Sequence, residues 1–331
     1  VQENLTGRAA NGDRAVEATA EKKTRPKPSI ALALGGGIAR GFAHIGVLRT
    51  LAKHGFEPDI VVGTSVGSVV GACYAFGRLD ELEQWALTLT TRGVLGYLDV
   101  SLGGSGLIGG DRLAARLDQT FGDARIEDML KRYACIATEL GTGHEIWLTR
   151  GRIVDAVRAS YALPGIFRPV HLGGRWLVDG ALVNPVPISA ARALGARLVI
   201  AVNLNSEIFG RGGTISSHGT DEEDARTLNE MRARPEGLRR MLSPEFLLKR
   251  HLAGSSRSPN IVNIMIDAFN VMQDRITRSK LAGDPPDVTI LPRMGKIGLF
   301  DFHRAKEAIE IGASAAERAI PDVAEAFAAL S

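Results

Sequence analysis

Apolar and polar positions along the 331-residue chain repeat with two periods, one suited to strands and one to helices. Residues 1–28 are polar, end in EKKTRPKP and predict a disordered arm. SIALAL is then a short apolar run closed by glycines. FAHIGVLRTLAKHG follows, with Phe42, Ile45, Val47, Leu48 and Leu51 at helical spacing and Gly55 as the stop. EPDIVVGTS predicts a second buried strand, and VGSVVGACYAFG a second helix of small residues that can pack close to its neighbours. Strand, helix, strand, helix in this order predicts parallel pairing through right-handed crossovers, and so an α/β sandwich.

The rhythm resumes after a looser middle. Residues 79–91 and 110–119 read as helices, RYACIATEL and HEIWLTR as strands, and RIVDAVRASYALPG as a helix stopped by Pro164 and Gly165. RWLVDGAL is a strand running into a turn, ISAARALGA a helix and RLVIAVNLN another buried strand. Residues 206–258 break the pattern with GRGGTISSHGTDEED and an arginine-rich stretch, and are expected to be a mobile, basic insertion. IVNIMIDAFNVMQDRI recovers a helical period through Ile261, Ile264, Met265, Ala268, Phe269, Met272 and Ile276. VTILP predicts a last strand and the chain closes in an alanine-rich helix, so residues 29–331 are expected to form one domain.

Composition narrows this only slightly. A net charge of +3 gives no case for nucleic acid but is compatible with an anionic membrane surface. Cys73 and Cys135 are far apart in the chain and suit reduced thiols in a cytoplasmic protein. The first 29 residues contain no apolar core of a secretory signal. The uncharged run 60–77 approaches the length of a membrane span, but its four glycines and internal turn favour a strand followed by a helix.

Two glycine sites carry the chemistry. In ALALGGGIARG, glycines let the backbone approach a ligand and aim amides at an anion. A dinucleotide fingerprint fits poorly, because arginine takes its last glycine position, and no G-K-[ST] follows to make a phosphate loop. In GTSVG, Ser65 stands at a strand-to-helix junction, where a sharp turn lifts a hydroxyl off the end of a sheet. A nucleophilic serine needs a base. His44, His171 and His218 are candidates, and so is Asp179, which ends the apolar strand RWLVD directly before Gly180.

GGGIARG at 35–41, GTSVG at 63–67 and DGA at 179–181 together resemble the patatin-like phospholipase family, specifically its compact bacterial branch. The flanking GFAHIGVL, ASYALPGIFRPV and NPVP are similar as well, and the resemblance runs from about Ser29 to Asn205. The glycine loop departs from the family pattern by one extra residue, since Ile38 and Ala39 both precede Arg40. The resemblance implies a three-layer sandwich with a mostly parallel central sheet and helices on both faces. It also implies Ser65 as nucleophile, Asp179 as its dyad partner, and an oxyanion hole from the Gly36, Gly37 and Ile38 amides, with Arg40 supporting the loop. The implied activity is a serine lipid acyl hydrolase acting on phospholipid or lysophospholipid, with neither cofactor nor metal. An esterase, thioesterase or acyltransferase using soluble acyl groups is the alternative, and a noncatalytic lipid-binding protein a more distant one. Segment 85–107 is a candidate lid over an acyl groove. Residues 235–252 interleave basic and apolar side chains in a way that suits peripheral contact with an anionic membrane. Oligomeric state is left open.

Overall fold

A computed structural model describes residues 27–90, 106–108, 110–206 and 261–331. The expected arm up to residue 26, the expected insertion from residue 207 onward and the 91–105 part of the candidate lid lie outside the described residues. So do His218 and the basic stretch 235–252.

Strand β1 (Ile30–Leu34) is the centre of the sheet, with β2 (Ile60–Thr64) on one side and β9 (Leu198–Val202) on the other, both parallel to it. β10 (Val288–Ile290) extends the parallel set beyond β9, and β4 (Arg132–Glu139) beyond β2. The other strands of the sheet run antiparallel: β5 (Glu145–Leu148) and β8 (Arg175–Asp179) on β4, and β7 (Val170–Leu172) on β8. A separate small sheet pairs β3 (Gly106–Ile108) with β6 (Gly165–Phe167).

Strands β1, β2 and β9 are buried on both faces, which is why they read as unbroken apolar runs. Alternate side chains feed two separate cores. Ile30, Leu32, Leu34, Leu198, Ile200 and Val202 face the larger one, with residues of α1 (Ala43–Lys53), α2 (Val66–Ala75), α3 (Leu79–Thr88), α4 (Asp111–Phe121), α5 (Ile153–Tyr161) and α8 (Ala305–Leu330). Ala31, Ala33, Val199 and Ala201 face the smaller one, against α6 (Ile188–Ala193). The result is the expected α/β fold, a central sheet with helices on both faces. The uncharged run 60–77 is β2 followed by α2, and no helix among the described residues is long and apolar enough to cross a membrane.

Two helices differ from the sequence expectation. The spacing in α1 predicts one buried apolar face, yet His44, Gly46 and Thr50 are buried too. The reason is α8, which covers the side away from the sheet and brings Gly312 against the Ala43 carbonyl. The second case is α7 (Ile261–Gly283), which runs past the predicted end at Ile276. Ile264, Met265 and Met272, expected on its packing face, are exposed, whereas Ile266, Phe269, Asn270, Gln273, Asp274 and Thr277 are buried. Those six follow helical spacing, so the inward face of α7 is mostly polar.

The pairing of β4 positions the site. Along residues 135–138 one edge of β4 is occupied by β5. On the other edge, β2 ends with Thr64 opposite Ile136, and β8 begins its contact with Asp179 opposite Ala137. β2 and β8 therefore meet end to end, and the residue after Thr64 emerges beside Asp179.

Candidate active site

Ser65 is that residue. It sits between β2 and α2 with φ 56° and ψ −125°, a conformation that a side chain makes unfavourable by about 1–3 kcal/mol. Neighbouring contacts hold it there. Its amide donates to Ser160 Oγ at 3.1 Å, and its carbonyl accepts from the Ser68 amide at 2.9 Å and from the Ser68 hydroxyl. The flanking glycines are required by close approach, since a Cβ on Gly63 would overlap the Gly67 backbone and one on Gly67 the Leu34 carbonyl. Thr64 is also fixed, its hydroxyl donating to the Asn184 carbonyl at 2.8 Å.

Asp179 ends β8 and is almost completely buried. Its Oδ2 accepts from Ser65 Oγ at 2.7 Å and its Oδ1 from the Ala181 amide at 2.8 Å. Thr138 Oγ1 donates to the Asp179 carbonyl at 2.9 Å, and the Asp179 amide donates to the Ala162 carbonyl at 2.9 Å, so the backbone cannot swing away. Gly180 must be glycine for the turn to close, because a Cβ there would strike the Ile136 carbonyl. Burial raises the Asp179 carboxyl from 3.8 to about 7, against the two hydrogen bonds that favour its charged form. The carboxylate is thus a base poised near neutrality, already in contact with a hydroxyl.

The glycine loop lies over this pair. A Cβ on Gly36 would come within 3.5 Å of Ser65 Cβ and 3.6 Å of Ala181 Cβ. Gly36 itself donates its amide to the Pro185 carbonyl at 3.1 Å. Among the described residues the Gly37 and Ile38 amides meet no acceptor, whereas Ala39 donates to the Leu299 carbonyl and Arg40 to the Gly37 carbonyl. Ile38 has φ 51°, and it and Ser65 are the only non-glycine residues with positive φ among those described. Arg40 is buried, and its Nε donates to the Ile297 carbonyl at 2.8 Å, tying the loop to the segment before α8.

The histidines take other places. His44 is fully buried, and its Nε2 bonds the Gly35 carbonyl at 2.8 Å, so this nitrogen carries the proton. Burial lowers it from 6.5 to about 4, leaving it neutral at ordinary pH. His171 packs its ring against exposed Trp176, with ring centres 4.8 Å apart. No described histidine hydrogen-bonds Ser65 Oγ or the Asp179 carboxylate. Cys73 and Cys135 are free and buried.

Sequence reading did not find Ser160, Thr138, Asn205 or Gln273. The first two are small hydroxyl residues in apolar elements, a pattern too common to mark a site. Asn205 Nδ2 reaches the Gly36 carbonyl at 3.5 Å and Gln273 Oε1 at 3.1 Å. The signal for Gln273 was a polar stripe in α7, which the apolar period of the same helix obscured; Asn205, just after β9, had none.

Fold and site together define an α/β protein that presents a serine hydroxyl to a buried carboxylate at a strand-to-helix turn, beneath a glycine loop. Residues 32–192 match the family model described as Patatin-like phospholipase, a span containing all three motifs. The NTE family protein Rv1063c of Mycobacterium tuberculosis is 31% identical over 333 residues, covering 88% of this chain and 91% of its own. The chain belongs to the patatin-like phospholipase family. The patatin-like phospholipase domain-containing protein 7 of Rattus norvegicus is 36% identical over 185 residues, which is 54% of this chain and 14% of that protein. Among solved structures, VipD from Legionella pneumophila aligns over 88% of this chain and 66% of its own, at 13% identity and a TM-score of 0.43.

Proposed function

We propose that this protein is a serine lipid acyl hydrolase of the family's compact bacterial branch, cleaving carboxylic esters of phospholipid or lysophospholipid. The observation that carries the reading is the 2.7 Å hydrogen bond from Ser65 Oγ to Asp179 Oδ2, made by a serine held in a strained turn. Ser65 attacks the ester carbonyl, and Asp179 takes its proton and returns it to the leaving alcohol. Water, activated by the same carboxylate, then attacks the acyl-enzyme and frees the fatty acid. The Gly37 and Ile38 amides supply the oxyanion donors, since the Gly36 amide is engaged by Pro185. An acyl chain suits the adjoining apolar cluster of Leu163, Ile166, Ala181, Ile266 and Phe269, against which Ile38 packs.

Peripheral contact with an anionic membrane from the cytoplasmic side belongs to the same proposal. It is supported by the basic, leucine-rich composition of 235–252 and by the exposed Ile264, Met265 and Met272 on α7. The test is fatty-acid release from mixed phospholipid and lysophospholipid vesicles by the parent protein, Ser65→Ala and Asp179→Asn. Both variants should remain folded and lose activity by roughly a thousandfold or more. Turnover of a soluble ester or thioester without lipid hydrolysis would move the substrate assignment to the esterase alternative, and activity surviving Asp179→Asn would remove the dyad.

A further inference from the structure

The peptide planes of the glycine loop are each held through a carbonyl. In a planar trans peptide the C=O of one residue and the N–H of the next point in opposite directions. A clamp on a carbonyl therefore aims the following amide. The Gly35 carbonyl is held by His44, which turns the Gly36 amide toward Pro185. The Gly37 carbonyl is held by the Arg40 amide, which sets the Ile38 amide. The remaining carbonyl, that of Gly36, faces Asn205 Nδ2 at 3.5 Å, and its partner in the same peptide is the Gly37 amide.

Asn205 is itself oriented. Its amide donates to Asn203 Oδ1 at 3.0 Å, and its Nδ2 also donates to Gln273 Oε1 at 3.1 Å. Nδ2 faces both acceptors, and the Gly36 carbonyl can only accept, so reversing the carboxamide would set Oδ1 against that carbonyl. Gln273 is buried on the polar inward face of α7, its Oε1 3.6 Å from where a Cβ on Gly36 would stand. Asn205 and Gln273 both lie beyond the span 32–192 that matches the family model.

We infer that Asn205 and Gln273 form a relay that aims the Gly37 amide at the developing oxyanion, Gln273 acting through Asn205 as a positioning residue contributed by α7. This rests on the proposed serine hydrolase reading. The burial of Gln273 on the polar face of α7 follows from it. A side chain that must accept from Asn205 beside a loop carbonyl cannot be replaced by leucine without loosening a donor on which the transition state depends.

The test compares the full-length parent with Asn205→Ala, Gln273→Met, Gln273→Glu and the Asn205→Ala/Gln273→Met double variant. The readouts are kcat and KM on a soluble p-nitrophenyl ester, the rate of labelling by a fluorophosphonate, and melting temperature. Asn205→Ala and Gln273→Met should each lower kcat by roughly tenfold or more with KM within about threefold, because a misaimed donor affects the transition state and spares ground-state binding. The double variant should be no slower than Asn205→Ala alone, and Gln273→Glu, which keeps an acceptor for Asn205, should recover part of the kcat lost in Gln273→Met. Folded single variants with parent-like kcat would overturn the relay. So would effects that multiply in the double variant, or losses confined to KM, since either would have Gln273 acting independently of Asn205. If Asn205→Ala does not fold, the Gln273→Met and Gln273→Glu contrast decides alone, because packing would tolerate methionine and the relay would not. Ser65→Ala in the same assay separates the two levels: retained turnover would sink the hydrolase reading and this inference with it, while Ser65-dependent turnover indifferent to Asn205 and Gln273 would sink only the inference.

Discussion

Replacing Asp179 by asparagine should abolish activity and stabilise the fold at neutral and alkaline pH. Burial raises the parent carboxyl from 3.8 to about 7. Below pH 3.8 the group is protonated in both the folded and unfolded chain and makes no difference. Between 3.8 and about 7 the unfolded chain has released the proton and the folded one keeps it, so stability falls as pH rises; above about 7 the full penalty remains. A displacement of about three units corresponds to roughly 4 kcal/mol at most. The asparagine side chain would keep an acceptor for the Ala181 amide and bury no charge. The variant should therefore exceed the parent by about 2–4 kcal/mol at pH 8, on the order of 5–10 °C in Tm, and converge with it near pH 4.

His44 sharpens the test because it acts with the opposite sign. Its folded value is lowered to about 4, so the stability it contributes is complete above pH 6.5 and lost as pH falls toward 4. In the parent the two slopes oppose each other between pH 4 and 6.5. In Asp179→Asn the histidine slope stands alone, and stability should fall by roughly 1.4 kcal/mol per unit of acidification. Melting curves from pH 4.5 to 8.5 read both effects. The kcat/KM of the parent on a soluble ester should rise with pH to a limb near 7 and be about a hundredfold lower at pH 5 than at the plateau. A variant no more stable than the parent at pH 8, or a parent profile flat from pH 5 to 8, would refute the reasoning.

Two further substitutions probe the backbone of the site. Ser65→Gly should remove the strain at φ 56° as well as the nucleophile, raising stability by about 1 kcal/mol over Ser65→Ala in chemical denaturation, with both variants inactive; equal stability would mean the turn is unstrained. His44→Phe leaves the buried Gly35 carbonyl without its donor, which should cost about 1–3 kcal/mol and lower kcat. Parent-like kcat in that variant would show that the Gly35 peptide does not help to hold the loop.

Much of the parallel sheet was legible because a strand buried on both faces leaves no polar interruptions, as in IALAL and LVIAV. Ser65 was legible for a local reason: glycines two residues to either side mark a turn that crowds its neighbours. The three-residue strands β3, β6 and β7 left no period to detect. The choice between a histidine and Asp179 as partner was not local at all. It depends on β2 and β8 meeting end to end along one edge of β4, a fact of register between segments more than a hundred residues apart.

The same limit explains the glycine loop and α7. Three successive residues in a glycine-rich stretch offer three amides, and nothing in GGGI says which of them is already taken. The answer lies at Pro185, whose carbonyl removes the Gly36 amide from the set, and at Asn205, whose carboxamide faces the other side of the same stretch. In α7 the apolar residues fit a helical period, but the buried face is the adjacent polar one, on which Gln273 accepts from Asn205 beside the glycine loop. A helix of this kind carries two readable faces, and only the loop it packs beside decides which is inside. The exposed Ile264, Met265 and Met272 are then left on the outer side.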